Sequence, residues 1–340
     1  MTRSELVIDL GAIRRNVRTL RRALGRAELW AVVKADGYGH GAAEVGGAAL
    51  AEGAATLCVA TVPEGLALRT ELGNARILVL GPSASGEIAE ARDAGLELVV
   101  IDGEVPEGIR VHLKLDTGMG RWGLSELTAP GRREVVGLMS HLASADCDPT
   151  FTTHQIDRFA QATEPFSQLT RHLANSAGAL RFPMSRFDAA RCGIALYGLS
   201  PFGGDPAADG LEPALRWRSQ LAQVKRLEPG ESTGYGRRYV ARRPTWIGIV
   251  PVGYADGFRR DLTGTTVHVG GQAGRVVGTV SMDAFAVELE SRLPVGTPVT
   301  LLGPGVLAEA HARVAGTISY ELVTGINRSA ARTRRTFRDA

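Results

Sequence analysis

Between about residues 10 and 200, short apolar runs alternate with helical patterns, which predicts a (β/α)8 barrel of the TIM type followed by a mainly antiparallel β domain. Eight β-rich runs recur in this stretch, and residues capable of chemistry fall at their carboxyl ends, where such a barrel builds its site. After Pro213 the pattern changes to short alternating runs broken by glycine and proline. The expected division is a barrel over 10–212 and a β domain over 213–340, joined by residues 1–9.

The barrel strands are expected near Trp30 to Lys34, Thr56 to Thr61, Ile77 to Leu80, Leu96 to Ile101, Val111 to Leu115, Val136 to His141, Arg171 to Ala174 and Phe187 to Arg191. Helical patterns fill the gaps at Gly11 to Leu24, Pro63 to Leu72, Gly86 to Ala94 and Phe151 to Leu169. Only residues 102–110 separate Ile101 from Val111, whereas a parallel crossover needs roughly a dozen residues. Residues 118–134 hold several glycines and Pro130, so the barrel is expected to be trimmed around 102–134. Beyond the linker Pro201 to Pro213, strands are expected at Ala222 to Leu227, Thr245 to Pro251, Thr266 to Val269, Arg275 to Met282, Ala284 to Leu289 and Pro298 to Leu302. The basic stretch Arg328 to Arg338 reads as a solvated helix end or a subunit contact.

A chain of 340 residues is long for one domain and suits two. Apolar content of 44% and charged content of 22% place it among globular proteins rather than disordered or membrane-embedded ones. A net charge of +3, with scattered arginines, lacks the concentrated basic face that nucleic-acid binding requires. Cys58, Cys147 and Cys192 are few, dispersed and odd in number, arguing against a disulfide framework and for a reducing, cytoplasmic setting. The opening residues lack the apolar stretch of a signal peptide, and no 18-residue apolar run follows.

Lys34 closes the apolar run Trp30-Ala31-Val32-Val33 and opens Lys34-Ala35-Asp36-Gly37-Tyr38-Gly39-His40-Gly41. A lysine partly desolvated at a strand end has a lowered pKa, and its free amine attacks carbonyls or holds an aldehyde cofactor. Glycines 37, 39 and 41 allow a sharp turn, and Tyr38 adds a hydroxyl. Taken alone, the lysine also fits a side chain pointing into water. The longer string closely resembles the cofactor-lysine motif of bacterial alanine racemases, which implies a Schiff base between Lys34 and pyridoxal 5'-phosphate.

Further strings carry the same resemblance. Lys114-Leu115-Asp116-Thr117-Gly118-Met119-Gly120-Arg121-Trp122-Gly123 is similar to a family motif whose arginine anchors the substrate carboxylate, so Arg121 is the expected anchor. The resemblance implies a carbamylated Lys114 that orients it; pairing of Lys114 with a nearby carboxylate is the alternative. Ser140-His141-Leu142 and His172-Leu173-Ala174-Asn175-Ser176 resemble motifs that set His141 beside the cofactor, His172 against an arginine and Ser176 on the phosphate. Arg191-Cys192-Gly193-Ile194 resembles the stretch that puts Arg191 under the pyridine ring and the amides of Gly193 and Ile194 on the phosphate. An arginine only donates hydrogen bonds, so the ring nitrogen would go unprotonated and carbanion character would be short-lived.

Inverting a carbon centre needs acid/base groups on opposite faces, one to take a proton and one to give it. The resemblance gives Lys34 one face and Tyr235, in Ser232-Thr233-Gly234-Tyr235-Gly236, the other, with His141 a member of the network that lowers the tyrosine's pKa. Tyr254 and Tyr320 match gate residues, the latter also touching the cofactor region; Met282 matches a substrate contact, and Asp283 accompanies it. In the family these second-domain residues come from a partner subunit, implying a head-to-tail homodimer with shared sites. The implied activity is alanine racemisation by a two-base mechanism on the cofactor aldimine, supplying D-alanine for wall precursors. Serine or broad-specificity racemisation, a related decarboxylase and a non-catalytic cofactor-binding protein are the rivals, Arg191 speaking against the decarboxylase. Ser281 stands where many relatives have cysteine, and Asp36-Gly37 varies the lysine motif.

Overall fold

The computed structural model describes residues 3–127 and 130–340. Within them the chain forms two compact units, one of residues 13–212 and one combining residues 1–12 with 213–340.

In the first unit, eight parallel strands close into a barrel: β2 (Glu28–Val32), β3 (Thr56–Val59), β4 (Ile77–Val79), β5 (Glu97–Val100), β6 (Val111–Lys114), β7 (Val135–Met139), β8 (Thr170–His172) and β9 (Ala189–Cys192), numbered after β1 (Glu5–Asp9) of the other unit. The ring shuts where β2 meets β9, with Trp30 opposite Arg191 and Ala31 opposite Cys192. Nearly every strand residue is buried, as expected of parallel strands covered on both faces.

The helices are α1 (Leu10–Leu24), α2 (Ala42–Ala51), α3 (Val62–Glu71), α4 (Ile88–Asp93), α5 (Pro149–Thr163) and α6 (Ser176–Arg181). Their starts follow local chemistry. Thr61 Oγ1 accepts from Glu64 N (3.4 Å) ahead of α3, and Asp148 Oδ1 accepts from Phe151 N (2.9 Å) ahead of α5, each with proline in the first turn. The pattern expected to run to Leu169 ends as an α-helix at Thr163, where a short 3₁₀ turn containing Pro165 takes over. Among the described residues no helix joins β5 to β6 or β6 to β7, so the barrel is trimmed over 102–134.

The second unit contains β10 (Leu215–Gln220), β11 (Gln223–Leu227), β12 (Ser232–Thr233), β13 (Tyr239–Val240), β14 (Thr245–Val250), β15 (Thr266–Val269), β16 (Gln272–Val277), β17 (Phe285–Leu289), β18 (Pro298–Leu302) and β19 (Arg334–Arg338), with α7 (Ala308–Ala315) and α8 (Ser319–Thr324). Its main sheet runs β11-β14-β17-β16-β15-β18-β10-β1-β19, antiparallel except for β1 with β19. Phe258 stacks on Phe285 at 4.3 Å in its core.

Two expectations need correction. The run expected to reach Met282 stops at Val277, because Gly278 turns the backbone into the left-handed region (φ 68°). The basic stretch Arg328 to Arg338 is not a helix end; its last five residues are strand β19, hydrogen-bonded alongside β1.

Candidate active site

The site grows from the carboxyl end of β2. Four consecutive residues after Lys34 have left-handed backbone angles: Ala35 (φ 53°), Asp36 (53°), Gly37 (61°) and Tyr38 (51°). They make one left-handed turn, closed by Gly37 N donating to Val33 O (2.8 Å) and Gly39 N to Ala35 O (3.1 Å). Left-handed geometry costs an L-residue about 1–2 kcal/mol, so something must hold it. Glu64 does: its carboxylate accepts from Ala35 N and from Ala60 N, both at 2.7 Å. Asp36 Oδ1 also accepts from Ala42 N (3.1 Å). The sequence led us to expect the glycines to supply the bend; three non-glycine residues share it. Burial, aided by the positive field of Arg121 and opposed by Glu64, lowers the Lys34 ammonium below its usual range.

The same turn delivers Tyr38. Its ring lies 4.9 Å from that of Tyr197, whose hydroxyl donates to Val32 O (2.8 Å), and burial raises the Tyr38 phenol well above its ordinary pKa. A methyl at Gly193 would sit 2.5 Å from Tyr38 Oη, so glycine is what lets the tyrosine hydroxyl pack on that backbone. Opposite, Asn175 caps α6 by accepting from Gly178 N (2.9 Å), and Ser176 Oγ accepts from Gly193 N (3.0 Å) and Ala195 N (3.4 Å). Tyr38, Ser176, Gly193 and Ile194 thus converge on one buried corner.

Arg191, at the end of β9, is buried and donates to five neutral acceptors: His172 Nδ1 (2.7 Å), His172 O (2.8 Å), Ser140 O (2.7 Å), Leu173 O (3.1 Å) and His141 Nδ1 (3.3 Å). Burial pushes its pKa down to about 10, leaving it a cation at neutral pH. Burial and the adjacent guanidinium hold His141 and His172 well below the ordinary imidazole pKa, and both stay neutral.

Lys114 ends β6. Asp116 then accepts from Gly118 N (2.9 Å) and Gly120 N (3.0 Å), folding the loop that carries Arg121. Burial, reinforced by Arg121 and Arg191, pushes Lys114 down to about 8. Arg121 and Lys114 both approach the Trp122 ring, at 4.9 and 5.4 Å from its centre.

In the second unit, Tyr235 and Tyr254 line one open recess of about 510 Å³ with Arg260 and Val280. Tyr235 is 72% exposed and its carbonyl accepts from Thr279 Oγ1 (3.0 Å); Tyr254 N donates to Ser281 O (3.0 Å), next to exposed Met282. Asp283 pairs with Arg332 (2.6 Å), and Tyr320 lies on α8. Residues not singled out from sequence also contribute: Glu64, which clamps the lysine turn, and Glu97 and His112, which lie in the barrel beneath Arg191. The last two carried a signal, as ionisable residues within the apolar runs Leu96-Glu97-Leu98-Val99-Val100 and Val111-His112-Leu113.

Comparison with known proteins agrees with this fold. Residues 8–201 match the model of the alanine racemase N-terminal domain and residues 214–334 that of the C-terminal domain. An alanine racemase of Symbiobacterium thermophilum is 40% identical, the alignment spanning 96% of this chain and 95% of that protein. The crystal structure of alanine racemase from a D-cycloserine-producing Streptomyces lavendulae superposes with a TM-score of 0.91 at 36% identity, covering 100% of this chain and 98% of that one. That from Bartonella henselae, with covalently bound pyridoxal phosphate, gives 0.90 at 28% identity, covering 98% and 99%. With both halves matched and identity sustained across nearly the whole length, the chain belongs to the alanine racemase family and carries that family's activity, the interconversion of the alanine enantiomers.

Proposed function

We propose that the chain binds pyridoxal 5'-phosphate at the barrel's carboxyl end and racemises alanine with Lys34 and Tyr235 as opposed acid and base. The observation that carries this is a lysine of lowered pKa in the same unit as a buried arginine held entirely by neutral acceptors. The residues fit the cofactor. The Tyr38 hydroxyl packed on Gly193, the Ser176 hydroxyl and the amides at 193 and 194 form a group of donors that suits a phosphate, whose oxygens need convergent donors. When bound, pyridoxal phosphate supplies an electron-withdrawing ring that acidifies the α-carbon of an attached amino acid.

The chain does the rest. Lys34 Nζ would hold the cofactor and would exchange a proton at one face of the substrate α-carbon. Arg121 grips the substrate carboxylate bidentately, with Lys114, neutral more readily than a free lysine and so able to take up carbon dioxide as a carbamate, as its counter-anion. Arg191, fixed by His141 and His172, would offer the ring nitrogen a donor and no acceptor. Tyr235 of the partner subunit serves the second face in a head-to-tail homodimer, with Tyr254, Met282, Asp283 and Tyr320 shaping the entrance. The exposure of Tyr235, Tyr254 and Met282 supports this assignment, since exposed large apolar side chains mark contact surfaces. The three free cysteines, two of them buried, suit a reducing cytoplasm.

The test is L-alanine with the holoenzyme in deuterated water. Formation of D-alanine carrying an α-deuterium is expected; absence of both inversion and exchange, with cofactor absorbance intact, refutes the proposal. Tyr235→Phe is expected to lower kcat by roughly 10²-fold or more, the range for losing a proton-transfer group.

A further inference from the structure

Beneath Arg191 a line of hydrogen bonds descends through the barrel. His172 Nε2 lies 2.8 Å from His112 Nδ1, and His112 Nε2 lies 3.0 Å from Glu97 Oε2. Glu97 is also bound by Arg76 (Nε to Oε1, 2.9 Å; Nη2 to Oε2, 2.9 Å) and by Arg110 (Nε to Oε1, 3.0 Å). Burial opposes ionisation of Glu97, but His112 and Arg76 outweigh it and bring its pKa to about 2, so it is a carboxylate that only accepts.

These contacts allow one arrangement of protons. A guanidinium has no acceptor, so at the 2.7 Å contact Arg191 donates and His172 Nδ1 must be bare. Neutral His172 then carries its proton on Nε2 and gives it to His112 Nδ1, which is therefore bare too. His112 in turn is protonated at Nε2 and donates to the carboxylate. Reversing any link sets N–H against N–H somewhere along the line.

The surroundings are built for it. A methyl on Gly137 would lie 2.1 Å from His112 Nδ1, so glycine at that place in β7 makes room for the ring. Fully buried Trp30 covers both imidazoles, with ring centres 4.4 Å from His172 and 5.6 Å from His112, and keeps water from offering alternative partners.

We infer that Glu97 and His112 are positioning residues for racemisation: acting through His172, they lock one tautomer and so hold the Arg191 guanidinium in place toward the cofactor ring. The inference rests on the function proposed above. If His172 carried its proton on Nδ1, Arg191 would lose its shortest side-chain acceptor and could swing from the ring. The carboxylate that ends this line sits two imidazoles from Arg191, at the amino end of β5.

The test uses holoenzyme labelled with ¹⁵N-histidine and two-bond ¹H–¹⁵N correlation spectra. His172 and His112 are both expected as the Nε2-protonated form with a bare Nδ1, in wild type between pH 6 and 9. An Nδ1-protonated or doubly protonated His172 overturns the inference. In Glu97→Gln and His112→Phe a second His172 tautomer is expected, with kcat lowered roughly tenfold or more, the usual scale for supporting shells, and KM changed less than kcat. Folded variants that keep both the wild-type tautomer and the wild-type kcat also overturn it. Should neither variant fold, the wild-type spectrum decides alone. A wild-type protein that shows the assigned tautomers but racemises nothing would refute the proposed function and leave the direction of the bonds standing.

Discussion

Lys114 illustrates how burial converts a routine side chain into a responsive one. Its ammonium persists to about pH 10.4 in an unfolded chain, whereas the fold, chiefly by burial and then by Arg121, brings it to about 8. Below both values the folded state carries the full penalty of a buried cation. Between them the unfolded chain binds more protons, so stability rises with pH across that window. Urea titrations of apoprotein in buffer free of carbon dioxide are expected to show wild type gaining on Lys114→Met from pH 8 to 10.5; parallel curves would contradict this. Arg121→Lys, which keeps the charge but loses the fork, is expected to cut kcat/KM by about 10- to 100-fold, the scale of a charged hydrogen bond, in steady-state assays with L-alanine. Lys34, Arg121 and Arg191 were legible as residues because their strings are dense and local. Glu97 and His112 were not assigned a role, because their line reaches Arg191 on β9 only through His172 on β8, and only closure of the barrel joins these strands.

The left-handed turn after β2 shows where element-level reading stops short. Eight strands could be located to within two or three residues of their observed ends because buried parallel strands are continuous apolar runs bounded by polar ones. Nothing in Ala35 or Asp36 announces positive φ; the clamp that enforces it, Glu64, belongs to the next βα unit. Ala35 is exposed, so glycine there removes backbone strain at little packing cost. Ala35→Gly is expected to change stability by no more than about 1 kcal/mol, toward greater stability, since relief of strain outweighs glycine's entropy in the unfolded chain. Glu64→Ala is expected to act oppositely, releasing two backbone amides and raising the exchange rate of Ala35 N–H in hydrogen-exchange measurements. Strand β10 escaped notice although its arginines alternate with buried Leu215, Trp217 and Ser219, and β19 because arginine dominates it; the identity of both depends on the neighbours they pair with.

At the scale of the whole molecule, the second unit is held by charge as well as by its core. Asp256 is fully buried and accepts two bonds from Arg3 (2.8 and 2.9 Å), one from Arg332 (2.9 Å) and one from Gly253 N (2.9 Å), tying three distant segments together. Asp256→Ala strands two partly exposed arginines and is expected to cost about 3 kcal/mol, at the lower end for a broken buried pair, measured by urea unfolding. Such ties were invisible in sequence, where Asp256 reads only as part of a loop beside Tyr254. The pairing of β1 with β10 and β19 also bears on how the protein is made. Ser4 and Thr333, whose hydroxyls meet at 3.1 Å, are 329 residues apart. At roughly 5–20 residues per second, β1 leaves the ribosome tens of seconds before its last partner exists. The barrel can mature while β1 waits, unpaired until β10 emerges and with one edge open until β19 does, a natural client for any factor that shields extended segments during translation.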